Sequence, residues 1–199
     1  MLSKYALDKF VAQDLSHLNE CRLAPLATEF PDHSFWLTSF VANCIFRIPL
    51  TPEKAALAFA LIRRAGGAVE DYEEAREHLT ELVAGNRTIS LYFRCLRRLE
   101  SAVAMLYQSL DFVRRALGIN LFTQGDGSPY ERLKLIYNRG RHSNPETLPE
   151  GHLHAVWIKN DGLYTEGASL GFGEIRDMIR DIGQIADKVS KGEIPTETI

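Results

Sequence analysis

The sequence predicts a mainly α-helical protein: an antiparallel bundle of about five helices, with a long helical hairpin and one small β-hairpin before the C-terminal helix. Three observations predict this fold class. An unbroken heptad pattern follows Thr88 for roughly thirty residues. Thr51-Pro52 opens a second helical pattern of similar length. From about residue 153 the apolar period changes from helical to alternating.

The first fifty residues are the least regular part of the chain, and we expect them to form an extension packed on a single helical domain spanning 1–199. Residues 35–48, FWLTSFVANCIFRI, are too apolar for a surface position. They predict a buried helix, although their β-branched and aromatic content leaves a strand open. A short helix is expected earlier, with one face formed by Leu2, Tyr5, Ala6, Phe10 and Leu15.

The first long helix is predicted to begin at Thr51-Pro52, because threonine is a good N-cap and proline loses nothing in the first turn. Its pattern runs to about Val83. Gly66 and Gly67 lie inside it, and each costs about 1 kcal/mol relative to alanine in an exposed helix. We therefore expect a kink or a close helix crossing at these glycines.

The second long helix carries the strongest periodic signal and is stopped by Gly118. At 1.5 Å per residue it is about 45 Å long, so it needs a partner of similar length. Residues 52–83 supply that partner through the short connection AGNR. The heptad seam comprises Tyr92, Leu96, Leu99, Val103, Leu106, Leu110, Val113 and Leu117.

Five arginines also lie on this second helix. The favoured interpretation is that they cover its polar face, because arginine stems shield apolar surface well. The alternative is a stripe that contacts phosphates. The residues concerned are Arg94, Arg97, Arg98, Arg114 and Arg115.

A third helix is predicted from Ser128-Pro129, with Glu131 completing a capping box, and it must end before Pro145. Residues 153–170 follow as a β-hairpin with turn residues at 160–162. The last helix opens near Gly173. Its apolar face comprises Ile175, Met178, Ile179, Ile182, Ile185, Ala186 and Val189.

The composition is that of one globular domain: 199 residues, 45% hydrophobic and 25% charged. A net charge of −3 gives no global electrostatic case for nucleic acid, so any basic surface must be local.

Cys21, Cys44 and Cys95 are scattered, which argues against a zinc site or a disulfide framework. The sequence contains neither a signal-peptide pattern nor a membrane-spanning stretch. We therefore expect a cytoplasmic protein that does not associate with membranes.

Motifs for nucleotide-phosphate loops, dinucleotide binding, zinc proteases and serine hydrolases are absent from the sequence, and no cofactor is expected. His152 and His154 would share one face of a strand. Two imidazoles make a weak metal site, so the favoured interpretation is an ordinary position at the edge of the hairpin, and no metal is expected.

The stretch YNRGRHSNPE, residues 137–146, carries most of the functional signal. Asn138 and His142 share a helical face, Arg141 lies at its edge, and Arg139 points about 100° away from Asn138. A histidine exchanges protons with a ribose hydroxyl, and a guanidinium holds a phosphate. These residues suit a metal-independent ribonuclease. A helix C-terminus that collects cations to offset its dipole is the alternative, and on these residues alone it is favoured.

Together with the long helix pair, this stretch resembles the HEPN superfamily. The resemblance is specific over about residues 130–175, where WIKNDGL, 157–163, follows the helix end. It implies a homodimer with two motifs facing one cleft, and in active members a metal-independent endoribonuclease. The motif asparagine and histidine fall on Asn138 and His142, but Tyr137 occupies the place of the motif arginine. Arg139 or Arg141 would have to substitute for it.

Three hypotheses follow. The first in weight is a non-catalytic or weakly active HEPN-like dimer that binds RNA, a nucleotide or a protein partner. The next is a metal-independent ribonuclease acting as a toxin or antiviral component, with an antitoxin-type partner. The last is a helical interaction protein without a nucleic-acid role. The tyrosine at position 137 favours the first over the second.

Overall fold

The computed structural model describes residues 2–13, 15, 17–18, 23–46, 50–141, 148 and 153–193. The mainly helical fold class is confirmed, and a small antiparallel sheet precedes the last helix. The elements are α1 (Leu2–Ala6) followed by a π-helical turn (Leu7–Val11), a 3-10 turn (His33–Phe35), α2 (Trp36–Phe46), α3 (Pro52–Val83), α4 (Ile89–Leu117), α5 (Pro129–Arg141), β1 (Trp157–Ile158), β2 (Gly162–Thr165), β3 (Ala168–Gly171) and α6 (Phe172–Ser190).

The helical hairpin of α3 and α4 forms as predicted and is the most extensive helix–helix packing of the fold. Thr51 Oγ1 accepts the Lys54 N–H at 3.3 Å, and Thr88 Oγ1 caps α4 in the same way. Gly118 ends α4 in the left-handed region, with φ of +72°. The seam residues from Tyr92 to Val113 are buried, and Leu117 packs partly buried against the same core.

A close contact occurs between the two long helices at Gly67, as the glycine pair predicted. A Cβ built there would lie 2.4 Å from the Met105 sulfur. Further along α3, the buried Asp71 carboxylate accepts hydrogen bonds from Arg98 at 2.7 Å and from Ser101 at 2.6 Å. This satisfied acid fastens α3 to α4, because a buried charge is tolerated only when it is paired and hydrogen-bonded.

The predicted β-hairpin is incomplete, since the structure has three antiparallel strands in the order β1-β2-β3. The turn before Gly162 was predicted, but a second turn follows at Glu166-Gly167. Gly167 has φ of +81°, which glycine adopts without strain and which reverses the chain again. Tyr92 Oη accepts the Ile158 N–H at 3.1 Å, so the sheet is attached to α4.

Two predictions about which residues of the N-terminal region are buried are wrong in part. Tyr5 and Phe10 of the predicted apolar face are more than half exposed, whereas Leu15 of that face is buried as predicted, and Leu7, which lies outside it, is buried as well. The helix α2 forms, but only one of its faces is covered: Phe40 is buried and Phe46 is 80% exposed. A short apolar segment can bury only the face that a neighbouring element reaches.

The start of α5 differs in detail from the predicted capping box. Ser128 Oγ accepts the Glu131 N–H at 3.3 Å, as expected. The Glu131 carboxylate instead accepts the N–H groups of Gly125 and Gly127, and the Ser128 N–H donates to Asp126. The carboxylate therefore orders the preceding loop. The helix α5 is described as far as Arg141, and Pro145, before which it is predicted to end, lies outside the described residues.

The helix α5 is held by an ion pair between Arg132 and Glu174. The guanidinium donates to both carboxylate oxygens, at 2.6 and 3.1 Å, and to the Ser169 carbonyl at 2.7 Å. Glu174 also accepts the Gly171 N–H at 2.9 Å and so caps α6. The predicted apolar face of α6 is buried, with Ile185 partly exposed.

Two mid-helix glycines should respond oppositely to alanine. A Cβ at Gly183 in α6 would lie 2.7 Å from the Phe30 ring, whereas a Cβ at Gly66 in α3 meets nothing within 4 Å. We expect Gly183→Ala to lower the free energy of unfolding by about 1–3 kcal/mol through overpacking. Gly66→Ala should raise it by up to about 1 kcal/mol through helix propensity. Urea denaturation measures both, and stabilisation by Gly183→Ala would contradict the Phe30 contact.

Candidate functional site

The main cavity of interest lies between α4 and α5. We refer to it as the α4–α5 cleft. Its volume is about 500 Å³, and its wall is partly apolar, with Val103 and Ile136 behind the polar groups. The polar side chains that line it are Arg97, Glu100, Ser101, Gln108, Tyr137 and Arg141.

Glu100 is the titratable carboxyl at the centre of this arrangement. Burial raises its pKa to about 7, from the usual value near 4.3. His154, which precedes β1, approaches it with 3.6 Å between Nε2 and the carboxylate. The other ring nitrogen, Nδ1, accepts the Val156 N–H at 3.1 Å, which orients the ring.

The close approach of α5 to this carboxyl depends on Gly140. A Cβ at that position would lie 3.3 Å from the Glu100 carboxylate and 3.5 Å from Val156. Any larger side chain would therefore press on the acid. This packing favours glycine at position 140, in the last described turn of α5.

The ring of Tyr137, on one side of the cleft, is stacked on Tyr107, which lies outside the cleft lining. The Tyr107 and Tyr137 centroids are 4.5 Å apart, with an interplanar angle of 27°. Tyr137 thus joins α5 to α4. Its hydroxyl accepts a hydrogen bond from Arg141 at 3.3 Å, which holds the guanidinium at the cleft.

The arginines of α4 divide into two groups. Arg98 pairs with Asp71 and Glu74, and Arg114 and Arg115 pair with Asp111. These three arginines agree with the favoured interpretation, in which the arginines cover the polar face of the helix. Arg94 and Arg97 are exposed, and neither forms an ion pair within the part of the chain that the structure describes. Only Arg97 of this second group lines the cleft.

The four predicted site residues do not all meet at one place. Arg141 lines the cleft, whereas Asn138 is exposed on α5 outside that lining. Arg139 is half-buried on the same helix and is also outside it. His142 lies outside the described residues, as does His152, so the pairing of Asn138 with His142 stays a prediction.

A smaller cavity of about 300 Å³ lies further along the same two helices. We refer to it as the far cavity. It is lined by Tyr107, the other ring of the stacked pair, and by Leu110 and Phe122. Its remaining polar groups are Asp111, Arg114, Asn120, Gln124 and Lys134.

No family model, curated protein or solved structure matches the chain. The site must therefore be interpreted from its own chemistry. Among the described helices, none has both the length and the apolar composition needed to cross a membrane. Within the same residues, no three histidine, cysteine, aspartate or glutamate side chains are grouped as metal ligands.

Sequence reasoning missed Glu100, Gln108 and the stacking role of Tyr107 as parts of the site. A signal for Glu100 was present, because it lies one turn from the seam residues Leu96 and Val103. An acid so close to an apolar seam is desolvated once the partner helix packs against it. The sequence pattern around Glu100 does not indicate which helix covers this acid.

Glu100 should make stability depend on pH between about 4 and 7. In the unfolded chain its pKa is about 4.3, so over this range the folded form binds its proton more tightly. The folded protein therefore has its full stability at pH values below the unfolded pKa of Glu100. It loses stability as the pH rises through the folded pKa and Glu100 ionises in its buried position. Glu100→Gln should match the wild type near pH 4 and be more stable at pH 8, by about 2–3 kcal/mol.

Thermal melts across this pH range measure the effect, and the exposed Glu77 on α3 supplies the control variant Glu77→Gln. The control should follow the wild-type pH dependence. A Glu100→Gln protein whose stability relative to the wild type is the same at pH 4 and pH 8 would show that the carboxyl has an ordinary pKa.

Proposed function

We propose that this protein is a HEPN-like dimer that binds single-stranded RNA or a nucleotide in the α4–α5 cleft. The observation that carries the proposal is that the guanidiniums of Arg97 and Arg141 line one cavity together with Tyr137, whose ring is stacked on Tyr107. Guanidiniums bind phosphate oxygens, and aromatic rings provide surfaces on which bases stack.

The electrostatics of the cleft support binding of an anion. Burial keeps the pKa of Glu100 at about 7, so this carboxyl is only partly ionised at neutral pH. The two arginines are always charged. The cleft therefore carries net positive charge on a protein whose overall charge is −3, and this is the local basic surface that nucleic-acid binding requires.

A metal-independent ribonuclease is the second candidate, and Glu100 is the observation that favours it. An acid that titrates near neutral pH is suited to proton transfer, and it shares the cleft with Arg141. In this version His142 and Glu100 would exchange protons with the ribose hydroxyl and the leaving oxygen. Tyr137 at the motif arginine position keeps binding as the first candidate.

Substitution of the cleft arginines should weaken RNA binding. Arg97→Gln and Arg141→Gln should each lower the affinity for a fluorescent RNA 8-mer about three- to tenfold at low salt. Arg63→Gln, which removes the same charge from an exposed site on α3, should leave it within twofold. Fluorescence anisotropy in EDTA gives the affinities, and equal affinity for all four proteins would count against the cleft.

The same samples test catalysis, because the RNA can be recovered on a gel after binding. The binding proposal expects intact RNA with the wild-type protein. Cleavage in EDTA that disappears in His142→Ala would replace it with the ribonuclease candidate. If the protein neither binds nor cleaves RNA, the remaining hypothesis is a helical interaction protein without a nucleic-acid role.

The proposal also includes a homodimer formed around the end of α5. Leu135 is 46% exposed one turn before Asn138, so a two-fold contact there would bury an apolar side chain beside the predicted motif. We expect Leu135→Glu to elute as a monomer. Val41→Glu on α2, where the native side chain is 45% exposed, should remain dimeric. Size-exclusion chromatography with light scattering distinguishes the two, and a monomeric wild type would contradict the dimer.

A further inference from the structure

The far cavity is lined by polar groups that have no role in packing the helices together and do not belong to the α4–α5 cleft. Lys134 is half-buried and forms no ion pair within the described ranges. Asn120 and Gln124 add amide donors and acceptors to the same lining, and Leu110 and Phe122 add apolar surface. Amides, an ammonium group and apolar walls in one small cavity match the chemistry of a nucleobase and its phosphate.

The two cavities are connected by the tyrosine stack. Tyr137 lines the α4–α5 cleft, and Tyr107 lines the far cavity. Because the rings are stacked on each other, each cavity has one ring of the pair on its wall. Along α5, Lys134 lies one turn before Tyr137 and Arg141 one turn after it. The cations therefore lie on both sides of the aromatic pair.

The cations of the two cavities are too far apart to share one phosphate. Lys134 and Arg141, on the two sides of the tyrosine stack, are seven residues apart on α5, roughly 10 Å along its axis. One ligand can bind both cations through phosphates only if it contains more than one nucleotide. A mononucleotide would occupy one cavity and leave the other empty.

The charge in the far cavity is weaker than in the cleft. Arg114 donates to Asp111 at 2.7 Å, and the same carboxylate lies 3.6 Å from Arg115. The ammonium group of Lys134 therefore supplies the uncompensated charge of this cavity, among the residues that the structure describes. A phosphate there would bind chiefly to Lys134, and the base would contact the Tyr107 side.

We propose that the far cavity is a second nucleotide subsite, so that the protein binds an RNA single strand of several nucleotides across the Tyr107–Tyr137 stack. This inference rests on the proposed function, because it extends the same binding surface. It adds a statement about ligand length: the preferred ligand is an oligonucleotide and not a free mononucleotide.

The experiment compares probes of different length on the full chain. Adenosine monophosphate and fluorescent oligoadenylates of two, four and eight nucleotides are titrated into the wild type. We expect the affinity to rise at least tenfold between the monophosphate and the 8-mer. Lys134→Gln should weaken 8-mer binding about three- to tenfold and leave monophosphate binding within twofold. The charge-matched control Lys54→Gln, at the exposed start of α3, should change neither.

Two further readouts separate contact from a folding defect. Lys134→Gln should reduce the slope of log affinity against log salt by about 0.7, the value for one phosphate contact on a single strand. Tyr107→Leu should weaken 8-mer binding about tenfold, whereas Tyr107→Phe, which keeps the ring, should retain it. Melting curves establish that each variant is folded.

The outcomes distinguish this inference from the function on which it rests. Equal affinity for the monophosphate and the 8-mer, both weakened by Arg97→Gln, would overturn the second subsite and leave the proposed function standing. An unchanged salt slope in Lys134→Gln would also overturn it. Absence of binding for every probe would overturn both. Length-dependent binding lost in Lys134→Gln and Tyr107→Leu would support both.

Discussion

The ion pair between Arg132 and Glu174, together with the buried Leu133 and Ile136, fixes where α5 lies, and the candidate site depends on that position. One guanidinium contacts α6 through the carboxylate and β3 through the Ser169 carbonyl. The same carboxylate caps α6 through the Gly171 N–H. Three elements thus meet at one bidentate pair, which is a directional contact as well as an attractive one. Because α5 is held at this end, its other end reaches Glu100 on α4.

The long hairpin provides the rigid side of the site. Its seam and the buried Asp71 contacts hold α4 at a fixed rotation, and the sheet is attached to the same helix through the Tyr92 hydroxyl. One side of α4 is therefore committed to the core while Arg97, Glu100 and Gln108 face the cleft. A rigid helix that carries polar groups on one edge is a better support for a binding site than a loop.

The sequence predicted best those elements whose apolar faces meet each other. The helical hairpin and α6 could be predicted from periodicity because a long apolar face can be buried in only one orientation of its helix. Thr88 and Gly118 marked the limits of α4. Short segments gave no such constraint: Tyr5 and Phe10 fit a helical face as well as Leu7 does, and only packing decides between them.

The same reasoning explains why the site was only partly predicted. Arg141 was identified from local density of polar residues, but Glu100 and Tyr107 come from a distant segment that only the tertiary fold brings alongside it. Asn138 was chosen by its spacing from His142, and spacing on one helix says nothing about which face borders a cavity. Tyr137, which lies next to Asn138 in the sequence, lines the cleft, whereas Asn138 does not.

Gly140 gives this surface a property that no charged residue supplies. Its missing side chain leaves room for the Glu100 carboxyl, which a Cβ would approach to 3.3 Å, and burial of this carboxyl raises its pKa. The pKa of Glu100 is thus governed by the packing of α5 against α4 and not by a neighbouring ion. Any ligand or partner that wedges the two helices apart would hydrate the carboxyl and release its proton, so occupancy and protonation of this surface are thermodynamically linked.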